Sequence, residues 1–206
     1  GNNITSEKFI RDQLIVDEGD PFNKILHNKS LNKLRSKNLF GKVKSKIINT
    51  ENSDQKDIDI IIEEKPTGEL MAGAGYGTDG STFSIGIREN NFKGEGINLN
   101  SKLSLSEQTV KGFFEYTHPN FVYSDRALST SLESSVTDKL TDFGYKSSLN
   151  EVSLGTRYEQ FEDTFFSPRL SISSETLDTT STASAAYKKQ EGSYFDTTFD
   201  YGLTFD

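Results

Sequence analysis

The sequence predicts a small α+β module followed by a longer region built from about eight antiparallel β-strands. Residues 1–66 contain two amphipathic helical patterns, whereas two-residue alternation of apolar and polar residues dominates the remainder. Of the 23 aromatic residues, 20 follow position 66. Lys65-Pro66-Thr67-Gly68 separates the two regions, because proline cannot continue a strand ladder and glycine loosens the backbone. We therefore predict two domains, over residues 1–66 and 67–206.

Charge and composition exclude several classes of protein. The whole chain carries a net charge of −8, and residues 1–66 hold 12 basic and 11 acidic residues, so the acidity belongs to the later region. This balance argues against a nucleic-acid-binding protein, which normally presents a basic face. The absence of cysteine excludes disulfides, Cys-ligated zinc and thiol nucleophiles. The sequence contains no run of about 20 mostly apolar residues, so it predicts no transmembrane helix.

The first region is predicted to contain two helices followed by two strands. Thr5 is a suitable cap for a helix over residues 5–14, and a second helix over residues 23–37 directs Leu26, Leu31 and Leu34 inward. Asn38 follows at a position that favours a left-handed backbone. Alternating residues then predict strands around 43–47 and 58–63, joined by a polar loop over 49–54.

The later region repeats an alternating pattern in segments close to the length of tilted membrane strands. In its last 13 residues, one face carries Phe195, Thr197, Phe199, Tyr201, Leu203 and Phe205, while the other face is polar. Such a pattern is typical of a soluble β-sandwich, whose apolar faces form a core, and also of a membrane barrel, whose apolar face meets lipid. The alternation alone leaves both architectures open.

The spacing of the predicted connections bears on the same choice. Connections on the side away from the first region fall at 78–81, 106–107, 138–148 and 178–192, and those on the near side at 90–96, 119–125 and 160–163. The two later far-side connections are long, as in outer-membrane barrels with long external loops. Because the first two are short, this comparison also leaves the barrel and the sandwich open.

No motif predicts catalysis, a cofactor or a metal site. Gly73, Gly75 and Gly77 precede a predicted hairpin rather than the helix N-terminus that a phosphate-binding loop requires. His27 and His118 are the only histidines, and neither has a second ligand at a metal-binding spacing. No serine lies in a nucleophile elbow. We therefore expect a protein that is not an enzyme and that uses no cofactor or metal.

Several motifs along the whole chain resemble the BamA family of outer-membrane β-barrel assembly proteins. The segments EKPTGEL at 64–70 and GAGYG at 73–77 are similar to the family's junction between its last POTRA domain and its barrel. Four further segments resemble two POTRA turns and two periplasmic hairpins: NNIT at 2–5, EGDPFN at 18–23, NFKGEG at 91–96 and THPNF at 117–121. Asn38 and His118 depart from the family pattern, which usually has glycine and an acidic residue there.

The resemblance implies a last POTRA domain, lacking its first strand, followed by the first half of a sixteen-stranded transmembrane barrel. It also implies that the first barrel strand is the mobile side of a lateral gate: Glu69, Leu70, Met71, Ala72, Gly73, Ala74, Gly75 and Tyr76. The POTRA–barrel hinge would comprise Lys65, Pro66, Thr67 and Gly68. Basic helix residues are candidates for docking an acidic partner: Lys24, Lys29, Lys33, Arg35 and Lys37.

These similarities imply a function in assembling and inserting β-barrel proteins into the outer membrane of a Gram-negative bacterium. The implied partners are nascent outer-membrane proteins, assembly-machinery lipoproteins and outer-membrane lipid, with the POTRA domain in the periplasm. Two alternatives remain open from the sequence. One is a related POTRA-barrel transporter that secretes a passenger, and the other is a soluble β-sandwich binding module.

Overall fold

A computed structural model describes residues 3–50, 55–77, 80–123 and 126–205. Its helices and strands divide between two compact units. Unit 1 comprises residues 1–68 and 90–97, and unit 2 comprises residues 69–89 and 98–206. The boundary predicted at residue 66 remains a prediction, but the grouping of residues 90–97 with unit 1 could not be read from a linear pattern.

Unit 1 begins with two helices that are shorter than predicted. Helix α1 covers Glu7–Arg11 and helix α2 covers Lys24–Ser36. Ser6, rather than Thr5, caps α1, because its hydroxyl accepts the N–H of Phe9 at 3.1 Å. Asn23 caps α2 by accepting the N–H groups of Ile25 and Leu26. The left-handed backbone predicted for Asn38 is confirmed, since its φ is 56°.

Two antiparallel strands complete unit 1. Strand β1 covers Phe40–Asn49 and strand β2 covers Lys56–Glu64, with Val43 opposite Ile62. Their inner faces pack on the helices, and the resulting core contains Phe9, Ile10, Leu31, Leu34, Leu39, Phe40, Val43 and Ile62. The spacing of apolar residues therefore predicts this core well. Part of the predicted loop at 49–54 lies outside the described residues, which exclude 51–54.

Unit 2 is built on the eight remaining strands. They are β3 (Gly68–Gly77), β4 (Gly80–Phe92), β5 (Ile97–Ser106), β6 (Thr109–His118), β7 (Ala127–Lys139), β8 (Tyr145–Phe161), β9 (Thr164–Thr179) and β10 (Gly192–Phe205). All eight belong to one sheet in which the strands follow chain order, and every pairing from β5 to β10 is antiparallel. The predicted fold class is confirmed. The sandwich alternative is wrong, because a sandwich requires two packed sheets.

The two faces of this sheet differ in the way that the alternation predicts. Leu132, Val152 and Ile172 lie side by side on β7, β8 and β9 and are 46%, 53% and 42% exposed. Ser131, Ser153 and Ser171 occupy the neighbouring row on the other face and are buried. The Ser131 and Ser153 hydroxyl oxygens are 2.6 Å apart. A continuous exposed apolar face of this kind is typical of membrane strands and unusual in a soluble monomer.

The connections between the strands are mostly shorter than predicted. The β7–β8 turn occupies residues 140–144 rather than 138–148, because pairing continues to Lys139 and Tyr145. The β9–β10 connection is long and contains a short helix, α3, over Ala185–Lys189. The predicted connections at 78–81 and 119–125 extend outside the described residues, which exclude 78–79 and 124–125. Across the described part of the chain, no helix is both long enough and apolar enough to cross a membrane.

Candidate functional site

The predicted gate residues, Glu69 to Tyr76, all lie on β3. Within the described sheet β3 is a terminal strand, hydrogen-bonded to β4 on one side only. Leu70 and Tyr76 are 85% and 86% exposed, and Met71 is the only residue of β3 that is partly buried. A terminal strand presents backbone donors and acceptors to which another strand can pair. Within the described sheet, β3 therefore presents one edge whose backbone groups are not used by a neighbouring strand.

Because β3 contains several glycines, few side-chain contacts are available between β3 and β4. A Cβ placed on Gly73 would meet the Ser84 hydroxyl at 3.1 Å, whereas a Cβ on Gly75 or Gly77 would meet nothing within 4 Å. On β4, Gly86 leaves the space that the Met71 side chain covers. The half of β3 that contains Gly75 and Gly77 consequently gains little from side-chain packing. Interior glycine weakens a strand for this reason and for its extra backbone freedom.

Two of the predicted hinge residues, Lys65 and Thr67, make hydrogen bonds within unit 1. The Lys65 ammonium donates to Asn38 Oδ1 at 2.7 Å. The carbonyl oxygen of Thr67 accepts both the backbone N–H and the side-chain Nδ2 of Asn90, each at 3.2 Å. Thr67 immediately precedes β3 and Asn90 lies near the end of β4, so this pair of bonds joins the two strands of the hairpin at its base.

The turn between β4 and β5 is held by groups that the sequence analysis did not select as a site. Asn91 is buried, and its Nδ2 donates to Thr5 Oγ1 at 2.8 Å while its Oδ1 accepts the N–H of Gly96 at 2.9 Å. The carbonyl oxygen of Gly94 accepts the N–H of Ser6 at 2.8 Å. The sequence at 91–96 does indicate a constrained turn, because a polar residue is followed there by two glycines.

Close packing explains both glycines of this turn. Gly94 and Gly96 have φ values of 74° and 66°, which favour glycine. A Cβ on Gly94 would lie 2.1 Å from the carbonyl oxygen of Ile4, and a Cβ on Gly96 would lie 2.3 Å from the Phe9 ring. The turn therefore packs directly against the N-terminal segment and the core of unit 1.

Glu64, at the end of β2, also holds the N-terminal segment, residues 3–5, in place. Its carboxylate accepts the backbone N–H groups of Asn3, Ile4 and Thr5, with the shortest distance 2.6 Å to Thr5. Desolvation by burial would raise the pKa of Glu64, but these hydrogen bonds outweigh it and lower the pKa from 4.5 to about 2. A carboxylate that receives several N–H groups is stabilised in its charged form.

The basic residues of α2 do not form a uniform docking face. Lys24, Lys29 and Arg35 are exposed, whereas Lys33 and Lys37 are half-buried. The Arg35 guanidinium donates to the Val43 carbonyl oxygen and to Asn32 Oδ1, both at 3.0 Å. Arg35 therefore links α2 to β1, a structural role that its exposed position in the helix pattern did not indicate.

The histidines occupy structural positions. His27 is buried, and its Nε2 lies 2.9 Å from the Ser45 hydroxyl. His118 receives the backbone N–H of Asn120 at Nδ1 and packs edge-on against Phe121. Among residues 3–50, 55–77, 80–123 and 126–205, no three histidine or acidic side chains cluster closely enough to hold a metal ion.

Comparison with known proteins agrees with this arrangement. Residues 1–65 match the POTRA family model, described as a surface antigen variable number repeat. The chain is 29% identical over 133 residues to the outer membrane protein assembly factor BamA of Buchnera aphidicola, which covers 63% of this chain and 21% of that protein. It is 25% identical over 120 residues to BamA of Nitratidesulfovibrio vulgaris, covering 58% of this chain and 15% of that protein.

Solved structures extend the similarity to the whole chain. BamA from Haemophilus ducreyi lacking POTRA domains 1–3 superposes with a TM-score of 0.77 at 21% identity, covering 100% of this chain and 42% of that one. CdiB from Acinetobacter baumannii superposes with a TM-score of 0.55 at 13% identity, covering 97% and 39%. The chain thus spans about one fifth of the Buchnera relative and less than half of either solved chain. Together, the POTRA match, the BamA relatives and the shared fold identify a BamA-like segment, in which a POTRA domain is followed by eight antiparallel strands that resemble half of the BamA barrel.

Proposed function

We propose that the protein containing this segment assembles and inserts β-barrel proteins into the outer membrane of a Gram-negative bacterium. The observation that carries the proposal is β3, an exposed, glycine-rich terminal strand that begins directly after a POTRA domain. The two curated relatives, which are named as outer membrane protein assembly factors, support it. The role is assembly rather than catalysis, with the POTRA domain in the periplasm and the apolar face of the sheet in lipid.

The chemistry of the proposed step is backbone pairing. An incoming strand of a nascent outer-membrane protein would pair with the edge of β3 between Glu69 and Tyr76, exchanging N–H and C=O groups as in other cases of strand addition. Pairing at this edge would satisfy the backbone N–H and C=O groups of β3. Lipid cannot hydrogen-bond to such groups, so leaving them unpaired in a membrane costs free energy. The thin packing around Gly75 and Gly77 would let β3 adjust to strands of different sequence.

Exposed lysines of the POTRA domain are proposed to contact partner lipoproteins of the assembly machinery. Lys24 and Lys29 project from α2 into solvent and are suited to an acidic surface. Arg35 contributes less to this surface, since its guanidinium already binds the Val43 carbonyl oxygen. The segment Lys65 to Gly68 is proposed to be the hinge that precedes the gate strand.

Site-specific cross-linking in the full-length protein tests the proposal. Leu70→Cys or Ala74→Cys on β3 should cross-link to a nascent barrel protein stalled during assembly. Leu132→Cys is the matched control, because Leu132 is also an exposed apolar residue but lies on β7, inside the sheet. Equal cross-linking at Leu70 and Leu132, or none at β3, would show that the β3 edge is not the template.

A second candidate function is export of a passenger by a related POTRA-barrel transporter. The fold similarity to CdiB favours it, although the identity to CdiB is only 13%. In this case a passenger would pass along the polar face of the sheet, where Glu133 and Glu151 are paired neighbours on β7 and β8. Cross-links from Glu151→Cys to a secreted passenger, with none from Leu70→Cys, would favour export over assembly.

A further inference from the structure

One end of the exposed apolar face of the sheet carries a cation stacked on an aromatic ring. The Arg126 guanidinium carbon lies 5.1 Å from the centre of the Tyr158 ring, and Tyr158 packs edge-on against Phe166 with the ring centres 5.9 Å apart. Phe166 is in turn opposite Leu203 of β10, which is 68% exposed. Tyr158 lies on the same face of β8 as the exposed Leu154, because side chains four positions apart on a strand point the same way.

Hydrogen bonds fix the backbone on which Arg126 lies. Its carbonyl oxygen accepts the N–H of Phe121 at 2.9 Å, and the carbonyl oxygen of the next residue, Ala127, accepts the Thr156 hydroxyl at 2.8 Å. Within the described part of the chain, no carboxylate pairs with the Arg126 guanidinium. Its N–H donors, which form a planar fork suited to phosphate and carboxylate, therefore remain available to an anion outside the chain.

The pocket beside this stacked pair also contains acidic residues. It has a volume of about 560 Å³ and is lined by six residues: Arg126, Tyr158, Glu159, Gln160, Phe161 and Glu162. Glu159 Oε1 accepts the N–H of Asp163 at 2.8 Å, so this carboxylate holds the β8–β9 turn. Glu162 is exposed in that turn, and across the described residues its carboxylate has no hydrogen bond or ion pair. A ligand with both a negative and a positive group matches this pocket better than a purely anionic one.

The pocket lies at the end of the sheet rather than along the middle of its apolar face. Because neighbouring strands are antiparallel, the β6–β7 and β8–β9 turns lie at the same end, and Arg126 and Glu162 belong to these two turns. The proposed function places the apolar face in lipid, so this end meets the boundary between acyl chains and headgroups. Aromatic and basic side chains are enriched at that boundary.

We propose that Arg126, Tyr158 and Glu162 bind the headgroup of a membrane phospholipid that carries a phosphate and a primary ammonium, as phosphatidylethanolamine does. The guanidinium donates to the phosphate, and the Glu162 carboxylate accepts from the ammonium group. The Tyr158 ring supports the guanidinium, and the acyl chains lie along the exposed apolar residues of β8 to β10. This inference rests on the lipid placement in the proposed function and adds a lipid site that strand addition does not require.

Photo-labelling of the full-length protein in micelles of a neutral detergent tests the site. The protein is titrated with phosphatidylethanolamine or phosphatidylglycerol carrying a diazirine on the acyl chain close to the glycerol, and fragmentation mass spectrometry locates the labelled residues. Half-maximal labelling of residues 158–162 should require less phosphatidylethanolamine than phosphatidylglycerol. Arg126→Gln should raise the half-maximal concentration of both lipids about tenfold, the effect of losing a hydrogen bond between charged groups. Glu162→Gln should raise it for phosphatidylethanolamine only.

Arg157→Gln is the matched control for Arg126→Gln. The Arg157 guanidinium carbon also stacks on a ring, 4.7 Å from the centre of Phe165, but Arg157 lies on the opposite face of β8 from its neighbour Tyr158. Its loss should leave labelling unchanged. Arg126→Lys keeps the positive charge and should shift the titration less than Arg126→Gln, and it keeps the test decisive if the glutamine variant does not fold.

Several outcomes would overturn the inference. They are equal shifts for Arg126→Gln and Arg157→Gln, equal affinity for the two lipids, and displacement of the probe by soluble phosphoethanolamine, which would indicate a site for free phosphate esters. Labelling around Leu154 without labelling at residues 158–162 would overturn the headgroup site alone. The absence of both would contradict the lipid placement as well. Because the readout needs no nascent barrel protein, it is independent of the cross-linking test of assembly.

Discussion

The Glu64 carboxylate accepts the backbone N–H of Thr5 at 2.6 Å, and the Thr5 hydroxyl accepts the side-chain amide of Asn91. Thr5 therefore joins the end of β2 to the turn that follows β4. Folding lowers the pKa of Glu64 from 4.5 to about 2, so the folded protein holds this carboxyl group ionised in a range where the unfolded chain protonates it. The contribution to stability is therefore complete above about pH 4.5 and is lost as the pH falls toward 2.

We expect Glu64→Gln to destabilise unit 1 at pH 7 by about 1 kcal/mol, at the low end for lost hydrogen bonds because solvent reaches the carboxylate. The variant should also lose the part of the acid dependence that lies between pH 2 and 4.5. Titration of the Glu64 side-chain carbon by NMR measures the pKa directly. A midpoint near 4.5 in the folded protein would contradict the observed geometry.

Gly94→Ala is expected to destabilise the folded protein by at least about 2 kcal/mol. The left-handed backbone alone costs about 1–2 kcal/mol for a residue with a Cβ, and here the Cβ would also collide with the Ile4 carbonyl oxygen. Gly75→Ala provides the control, since nothing lies within 4 Å of the added methyl group. Heat-induced unfolding, followed by the mobility of the folded form on gels, should separate the two variants clearly.

Arg35→Ala and Lys24→Ala distinguish a structural cation from a docking cation. Arg35→Ala removes the bonds to Val43 and Asn32 and should lower the free energy of unfolding by about 1 kcal/mol. Lys24→Ala should leave stability within about 0.5 kcal/mol, as is usual for an exposed side chain. Chemical denaturation measures both effects. Equal losses in the two variants would mean that the Arg35 contacts contribute nothing.

Leu154→Arg tests whether the apolar face of the sheet meets lipid. Leu154 is 53% exposed on β8, opposite Leu170 of β9. In a membrane, arginine on the lipid face near the bilayer midplane costs about 2–4 kcal/mol. Glu151→Arg lies on the opposite face of the same strand and should cost less. The comparison requires reversible unfolding from lipid vesicles, and equal costs for the two variants would argue against lipid contact at Leu154.

The sequence predicted the elements of this protein well because their signals are local. Alternation along β10 and the repeated apolar spacing of α2 depend only on neighbouring residues, and the left-handed position of Asn38 follows from its place after a helix. The eight strands and their division into an apolar and a polar face could be anticipated for the same reason.

Other features required the tertiary structure because they join residues that are far apart in the chain. Asn91 and Thr5 are separated by 86 positions, and nothing in either local sequence indicates that they bond. Ser6 rather than Thr5 caps the first helix, and the Thr5 hydroxyl instead accepts the Asn91 side-chain amide. Arg35 has the pattern of a solvent-exposed cation, and only the approach of β1 gives it the Val43 carbonyl oxygen.

The sequence by itself thus determined an α+β module, an alternating strand region and a glycine-rich first strand at the start of that region. Only the tertiary structure decided that the β4–β5 turn belongs to unit 1 and that the β3–β4 hairpin is fastened at its base. The physical reason for this division is the range of the interactions. Local patterns determine which face of an element is apolar, so the sequence alone predicts it. The partners of buried polar groups such as Asn91 depend on how distant segments meet, because each buried donor and acceptor must find its partner in the folded chain.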